Sequence, residues 1–180
     1  HFEDALGFYE SATSAIERAT STIQLLRALS GVDGIAYKSI YFGDIWEIIA
    51  SRSMMLTQMM DPQCIDRLVG QRCVGHPAMY AQAFELMIDC FQASGDSSGF
   101  IRRVGEDSSG PLRLNASREG APPKEMDATF FTLEIGFQGP VPAEDVGRTV
   151  EIVQYLLEAY GTRVSFVEGL FRVTLLSKLG

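Results

Sequence analysis

What most restricts the fold of this chain is an unbroken run of element signals between Leu133 and Leu176. Thr132-Leu133-Glu134-Ile135 alternates like a strand, and Gly136-Phe137-Gln138-Gly139-Pro140-Val141-Pro142 is turn chemistry that ends it. Ala143-Glu144-Asp145 opens a predicted helix whose acidic first turn suits the helix dipole. Val146, Val150, Val153, Leu157 and Tyr160 share one face of that helix, and Gly161 is placed to cap its end. Arg163–Val167 and Leu170–Leu176 then read as a hairpin around Glu168-Gly169.

The 180 residues suffice for one sizeable domain, or for one domain with a helical appendage. A formal charge of −8 argues against nucleic acid as a partner, because such binding needs a clustered basic surface. No apolar run approaches the roughly 18 residues of a membrane span, and no signal peptide is visible. Cys64, Cys73 and Cys90 have no zinc-like spacing; they are expected to be buried, reduced thiols in a cytoplasmic protein. The chain starts with His rather than Met, so residue 1 is expected not to be a natural start.

Residues 2 to 30 have the pattern of one long helix. Ala5, Phe8, Ala12, Ala15, Ala19, Thr22, Leu26 and Leu29 recur in steps of three and four, a heptad seam that Ile16 and Ile23 widen. Gly31 and Gly34 are expected to end it. A lone helix cannot bury such a stripe. It packs either on its own domain or, as the seam suggests, in a dimeric bundle. The expected division is a bundle helix over 1–34 and a second domain over 35–180.

Tyr37–Phe42 is a strand candidate, and a helix is expected from Gly43 to Met60 with Ile45, Ile48, Ile49, Met55, Leu56 and Met59 on its apolar face. Asp61-Pro62 stops it. Cys64–Val69 and Arg72–Val74 are short strand candidates. Gly75-His76-Pro77 starts a helix to about Ala93 that buries Tyr80, Ala83, Phe84, Met87, Ile88 and Phe91. Phe100–Glu106 is ambiguous between helix and strand. Leu112–Arg118 alternates as a strand, the loop Gly120–Lys124 follows, and Phe130–Ile135 is its expected antiparallel neighbour.

This order of elements resembles the ATP-binding domain of sensor histidine kinases, the Bergerat-type sandwich. Val141-Pro142-Ala143-Glu144-Asp145 is similar to the family's Ile-Pro-x-Glu-Asp phrase, and Gly147-Arg148-Thr149-Val150 stands where its second glycine motif belongs. The segment from Gly75 through Gln82 to Ala93 resembles the family's asparagine-bearing helix. Leu25-Leu26-Arg27-Ala28-Leu29 looks like the end of its dimerisation hairpin.

The departures define what the resemblance implies. The family's adenine-binding Asp falls on Gly136, and its loop glycines fall on Gln138 and Pro140. Its two asparagines fall on Leu86 and Cys90, and the second glycine of the later motif falls on Thr149. A thiol and an isobutyl group are poor ligands for a hard, oxygen-seeking cation, and proline offers no N–H to a phosphate. With only Val146 between Asp145 and Gly147, no ATP lid fits. No nucleotide, metal or other cofactor is expected.

The expected fold is therefore α/β (α+β): a two-layer sandwich of a mixed, mostly antiparallel sheet with three helices on one face, preceded by a long dimerising helix. The resemblance implies two-component signalling, with the protein acting in phosphorelay as a histidine phosphotransferase-like intermediate without ATP binding. The alternative is a non-catalytic pseudokinase or dimeric adaptor that regulates a partner kinase or response regulator. An active kinase with a diverged pocket is a third reading. The implied partners are a response-regulator receiver domain or a histidine kinase, with the protein a homodimer that binds neither nucleic acid nor membrane. The phosphoacceptor is expected on a helix upstream of residue 1. His1 is a weaker candidate, since His1-Phe2-Glu3-Asp4 lacks the proline of the family's acceptor box. His76, at a helix start, is expected to cap rather than to react.

Overall fold

The computed structural model describes residues 1–30, 37–114 and 124–180, and in the first helix it describes side chains for residues 1–16 and 19. Backbone proximity divides the chain into two compact units, His1–Gly34 and Ile35–Gly180. The first is helix α1, Phe2–Ser30. The expected stop at Gly31 and Gly34 lies outside the described residues. No described helix is long and apolar enough to cross a membrane.

The second unit is an α+β sandwich. Its elements in order are β1 (Ser39–Tyr41), α2 (Phe42–Arg52), α3 (Met54–Met59), α4 (Pro62–Asp66), β2 (Arg72–Val74) and α5 (Pro77–Asp89). Then come β3 (Gly99–Leu114), β4 (Lys124–Phe137), α6 (Val146–Leu157), β5 (Arg163–Val167) and β6 (Leu170–Leu179). Strands β3-β4-β6-β5 form one sheet and β1-β2 a second, small one. Every named strand pair is antiparallel, and the parallel component is a single bridge between Met60 and Gly99.

One face of the large sheet is apolar. In register across it stand Ile101 with Ile135, Ile135 with Phe171, and Leu133 with Val173 and then Val164. Phe131, Leu133, Ile135, Phe171, Val173 and Leu175 are each at most 1% exposed. Strand alternation sends these side chains to one side, where α5 packs between α2 and α6. The expected stripe of α5 is buried throughout, and Phe91 stacks against Phe137 and Phe171 at 5.1 and 5.7 Å. Between β5 and β6, Glu168 and Gly169 have φ of 54° and 77°. Two positive φ values are what a two-residue hairpin turn matching strand twist requires.

Several local expectations fail for identifiable reasons. The helix expected over 43–60 breaks at Ser53, an extended residue (φ −139°) whose Oγ accepts the N–H of Leu56 and so starts α3. Its rotation leaves Met54 and Met55 outward at 73% exposure, so Met55 is not core, whereas Leu56 and Met60 are buried. Cys64–Val69 is not a strand. Asp61 accepts the N–H of Gln63, Pro62 takes the first helical position, and α4 forms. The ambiguous 100–106 segment and the strand expected at Leu112 are one strand, β3, bulged between Val104 and Ser108. Leu112 therefore pairs with Met126, and Phe130–Ile135 pairs further back on β3. Asn115–Arg118 and most of the expected loop, 120–123, lie outside the described residues. Helix α6 begins at Val146 rather than Ala143, because Ala143 forms a bridge with Phe91 and Asp145 turns through φ 53°.

Opposite the helices, Glu134 ties three strands together. Arg102 of β3 donates from Nε and Nη2 to its Oε1 at 3.3 and 3.2 Å, and Arg172 of β6 donates to Oε2 at 3.0 Å. The Glu134 side chain is 10% exposed and the arginines 55%. The hydrogen bond from Arg172 holds this carboxyl below the usual carboxylate range, and that from Arg102 helps it prevail over burial. With its folded pKa below the unfolded one, Glu134 contributes full stability above about pH 4.3, lost as pH falls through the folded value. We expect Glu134→Gln to destabilise the fold by about 1 kcal/mol at neutral pH in urea melts, a modest figure because both arginines can resolvate. The gap from the parent should shrink as pH falls from about 5 towards about 2; a constant gap would refute the ionic clamp.

Candidate functional site

The candidate site is the C-terminal end of α5 against the start of α6, where Cys90 and Thr149, two of the positions singled out in the sequence, come together. Cys90 ends α5 and Thr149 lies in the first turn of α6; they are 7% and 8% exposed. The Cys90 thiol donates to Thr149 Oγ1 at 2.9 Å. Around this contact the backbone closes. Gln92 N–H donates to Pro142 C=O at 2.8 Å, Glu144 N–H to Cys90 C=O at 2.9 Å, and Phe91 and Ala143 form an antiparallel bridge. The segment after β4 is thus bonded onto the end of α5. Gln138 N–H anchors its near end on Ser98 C=O at 2.9 Å.

The other altered positions do not converge there. Gly136 is strand, not loop, and belongs to the face shared with Glu134 rather than with Ile135 and Phe137. A Cβ on it would run into Leu170 and come within 3.2 Å of Phe100. A side chain at 136 points away from α5 and α6. Phe137 faces inward instead and packs on Phe91. Leu86 is half-buried on α5, Gln138 and Pro140 are exposed in the loop, and Gly147 is exposed with open space around it.

Thr149 is the residue whose role the sequence reading missed. The buried face of α6 comprises Thr149, Val153, Leu156 and Leu157, while Val146 and Val150 are half-buried. A stripe counted through Thr149, Val153, Leu156 and Tyr160 has helical spacing as good as the valine stripe. Its polar member was the available signal.

The two histidines stand in different surroundings. His76 Nδ1 accepts the N–H of Ala78 at 3.2 Å and caps α5, as expected. His1 is exposed just before α1. Of the expected seam, Ala5, Phe8, Ala15 and Ala19 are exposed and Ala12 half-buried; the side chains of Thr22, Leu26 and Leu29 lie outside the described residues, as does that of Ile23. Phe2, Leu6, Tyr9 and Ile16 are also exposed, by 49 to 82%. At 3.6 residues per turn they make a second stripe beside the first. Among the described residues, no group of three or more His, Cys, Asp or Glu could hold a metal ion.

The thiols report whether the closure persists in solution. Burial pushes Cys73 up to about 12 and raises Cys90, the latter despite its bond to Thr149 and with Asp145 and Asp89 adding to the effect. Cys64 is half-buried, raised first by desolvation and then by its contact with Asp61. A thiol reagent at mildly alkaline pH should label Cys64 first, with Cys73 and Cys90 waiting for unfolding. Cys64→Ala should abolish the fast phase. Labelling of Cys90 as fast as Cys64 would show that the strap opens freely.

Comparison with models of known protein families and with curated proteins finds no match for this chain.

Proposed function

We propose that residues 35–180 are a degenerate ATP-binding domain of the histidine kinase type, carried by a cytoplasmic two-component signalling protein. It works in phosphorelay as a phosphotransferase-like intermediate that binds no nucleotide. The observation carrying this reading is the closure at α5 and α6. Where the resemblance calls for a magnesium-holding amide and a phosphate-cradling glycine, a buried thiol and a hydroxyl bond to each other, and a strap is hydrogen-bonded across them. The order of strands and helices also supports it.

Such an intermediate needs an exposed imidazole nitrogen on a rigid helix. The nitrogen takes a phosphoryl group from one aspartyl phosphate and yields it to another carboxylate, without ATP. The partner is a receiver domain. In this reading α1 is one helix of a homodimeric bundle, and its two adjacent apolar stripes suit a helix with two neighbours.

A second reading is a pseudokinase or adaptor without phosphoryl chemistry, and the commitment of His76 to capping is consistent with it. Incubating the full-length protein with a phosphorylated receiver domain and following the label separates the two. Transfer to a histidine supports the relay, whereas labelled receiver with unlabelled protein supports the adaptor. Under either reading, calorimetry with ATP and magnesium should give no binding in the micromolar range. Such binding would overturn both and restore an active kinase.

A further inference from the structure

We propose that the face of the β3-β4-β6-β5 sheet turned away from α2, α5 and α6 docks an acidic segment of a partner protein through that segment's carboxylates. The inference is independent of the phosphorelay reading. Directly paired residues share a face, so the register puts three arginines here. Arg102 is opposite Glu134, Glu134 is opposite Arg172, Arg172 is opposite Ser165, and Arg163 is opposite Thr174. All three are exposed, and the carboxylate between them is nearly buried. On a chain with a formal charge of −8, a face where two guanidiniums hold one carboxylate and a third, Arg163, stands on the edge strand is a local reversal of sign.

The arginines are also held in place. Arg102 is forked onto Glu134 and lies 4.7 Å from the Phe100 ring centroid; Arg172 is fixed by the other oxygen. Glu134 uses Nε and Nη2 of Arg102 and Nη2 of Arg172. The remaining guanidinium donors have no protein partner among the described residues. A planar fork whose orientation is already fixed loses little freedom on meeting a second carboxylate.

The neighbours select a peptide over a small anion. Phe100, Arg102 and Val104 alternate along β3, Leu170 and Arg172 along β6, and Arg163 and Val167 along β5, where Val167 is 52% exposed. An extended segment that carries carboxylates and apolar side chains at every second residue, so that both lie on the face turned to the sheet, satisfies both kinds of group. A long polyanion is disfavoured by the acidity of the remaining surface, and Glu106 and Glu168 mark acidic limits of the patch.

The test is an NMR titration of the full chain with a synthetic peptide of about eight residues in which Glu and Leu take turns at every second position, with Ser between them. Parallel arms use the Lys-for-Glu peptide, inorganic phosphate and a short DNA duplex. Shifts are expected at the Arg102 and Arg172 guanidiniums and along Phe100–Val104 and Leu170–Thr174, with none from the Lys peptide. Arg163→Glu leaves Glu134 and its partners untouched and should weaken binding about tenfold, an effect that added salt reduces. The proposal fails if no shifts appear, if they fall elsewhere, or if Arg163→Glu changes nothing. It fails equally if phosphate or DNA saturates the same arginines at lower concentration than the peptide, which would mark a general anion site or a nucleic-acid surface.

Discussion

Strand β4 is the constraint on which the second unit depends, because it joins the long strand β3 to β6 and through β6 to β5. Its inner residues Phe131, Leu133 and Ile135 meet Ile101 and Arg103 of β3 on one side and Phe171, Val173 and Leu175 of β6 on the other. A slip by one residue would turn that row to solvent and bring Glu134 into the core. The penalty for that error is large on both counts, apolar exposure and a buried carboxylate. Glu134 therefore fixes the register from the outer face while the apolar row fixes it from the inner one. Gln154 extends the lock to the edge: its side-chain amide donates to Thr162 C=O at 2.6 Å and accepts from Val164 N–H at 3.0 Å, joining α6 to the start of β5.

The closure at α5 follows from how far β4 runs. Because its pairing continues to Phe137, opposite Gly99, the chain leaves the sheet two residues later than turn chemistry alone would place it. Phe137 then occupies the inner layer beside Phe91, and the strap starts from a point pinned to Ser98. From there Pro142 and Glu144 reach the exposed backbone groups at the end of α5, which need partners in any case. The glycine at 136 belongs to the same arrangement. It lets Phe100 and Leu170 close over β4 on the outer face, which a larger residue would push apart.

Legibility in the sequence tracked the strength of the local physics. The terminal hairpin was readable because Glu168-Gly169 combines turn chemistry with two alternating runs. The α5 stripe was readable because six apolar residues recur at one helical spacing. The break at Ser53 was not, since a serine inside an apolar periodicity looks like a tolerated polar position until its hydroxyl is seen capping the next helix. Helix α4 was hidden for a similar reason: Asp61-Pro62 both ends one helix and begins another, and Cys64–Val69 is apolar enough to pass for a strand. The ladder of β3 was hidden because Gly105, with φ 69°, and its neighbours interrupt the alternation by a bulge that only β4 makes sense of. The contact between Cys90 and Thr149 was not legible, because a hydrogen bond between residues 59 apart leaves no spacing signal.

The Cys90–Thr149 pair also explains why the backbone can close over the end of α5. An amide and a glycine facing each other across a groove need water or a ligand to satisfy the polar groups they expose. A thiol and a hydroxyl at hydrogen-bond distance satisfy one another and tolerate exclusion of solvent. Once Cys90 and Thr149 are in place, backbone closure over them gains two hydrogen bonds and leaves no pocket polar group in that pair without a partner. Opening a ligand site there would therefore require breaking a satisfied network.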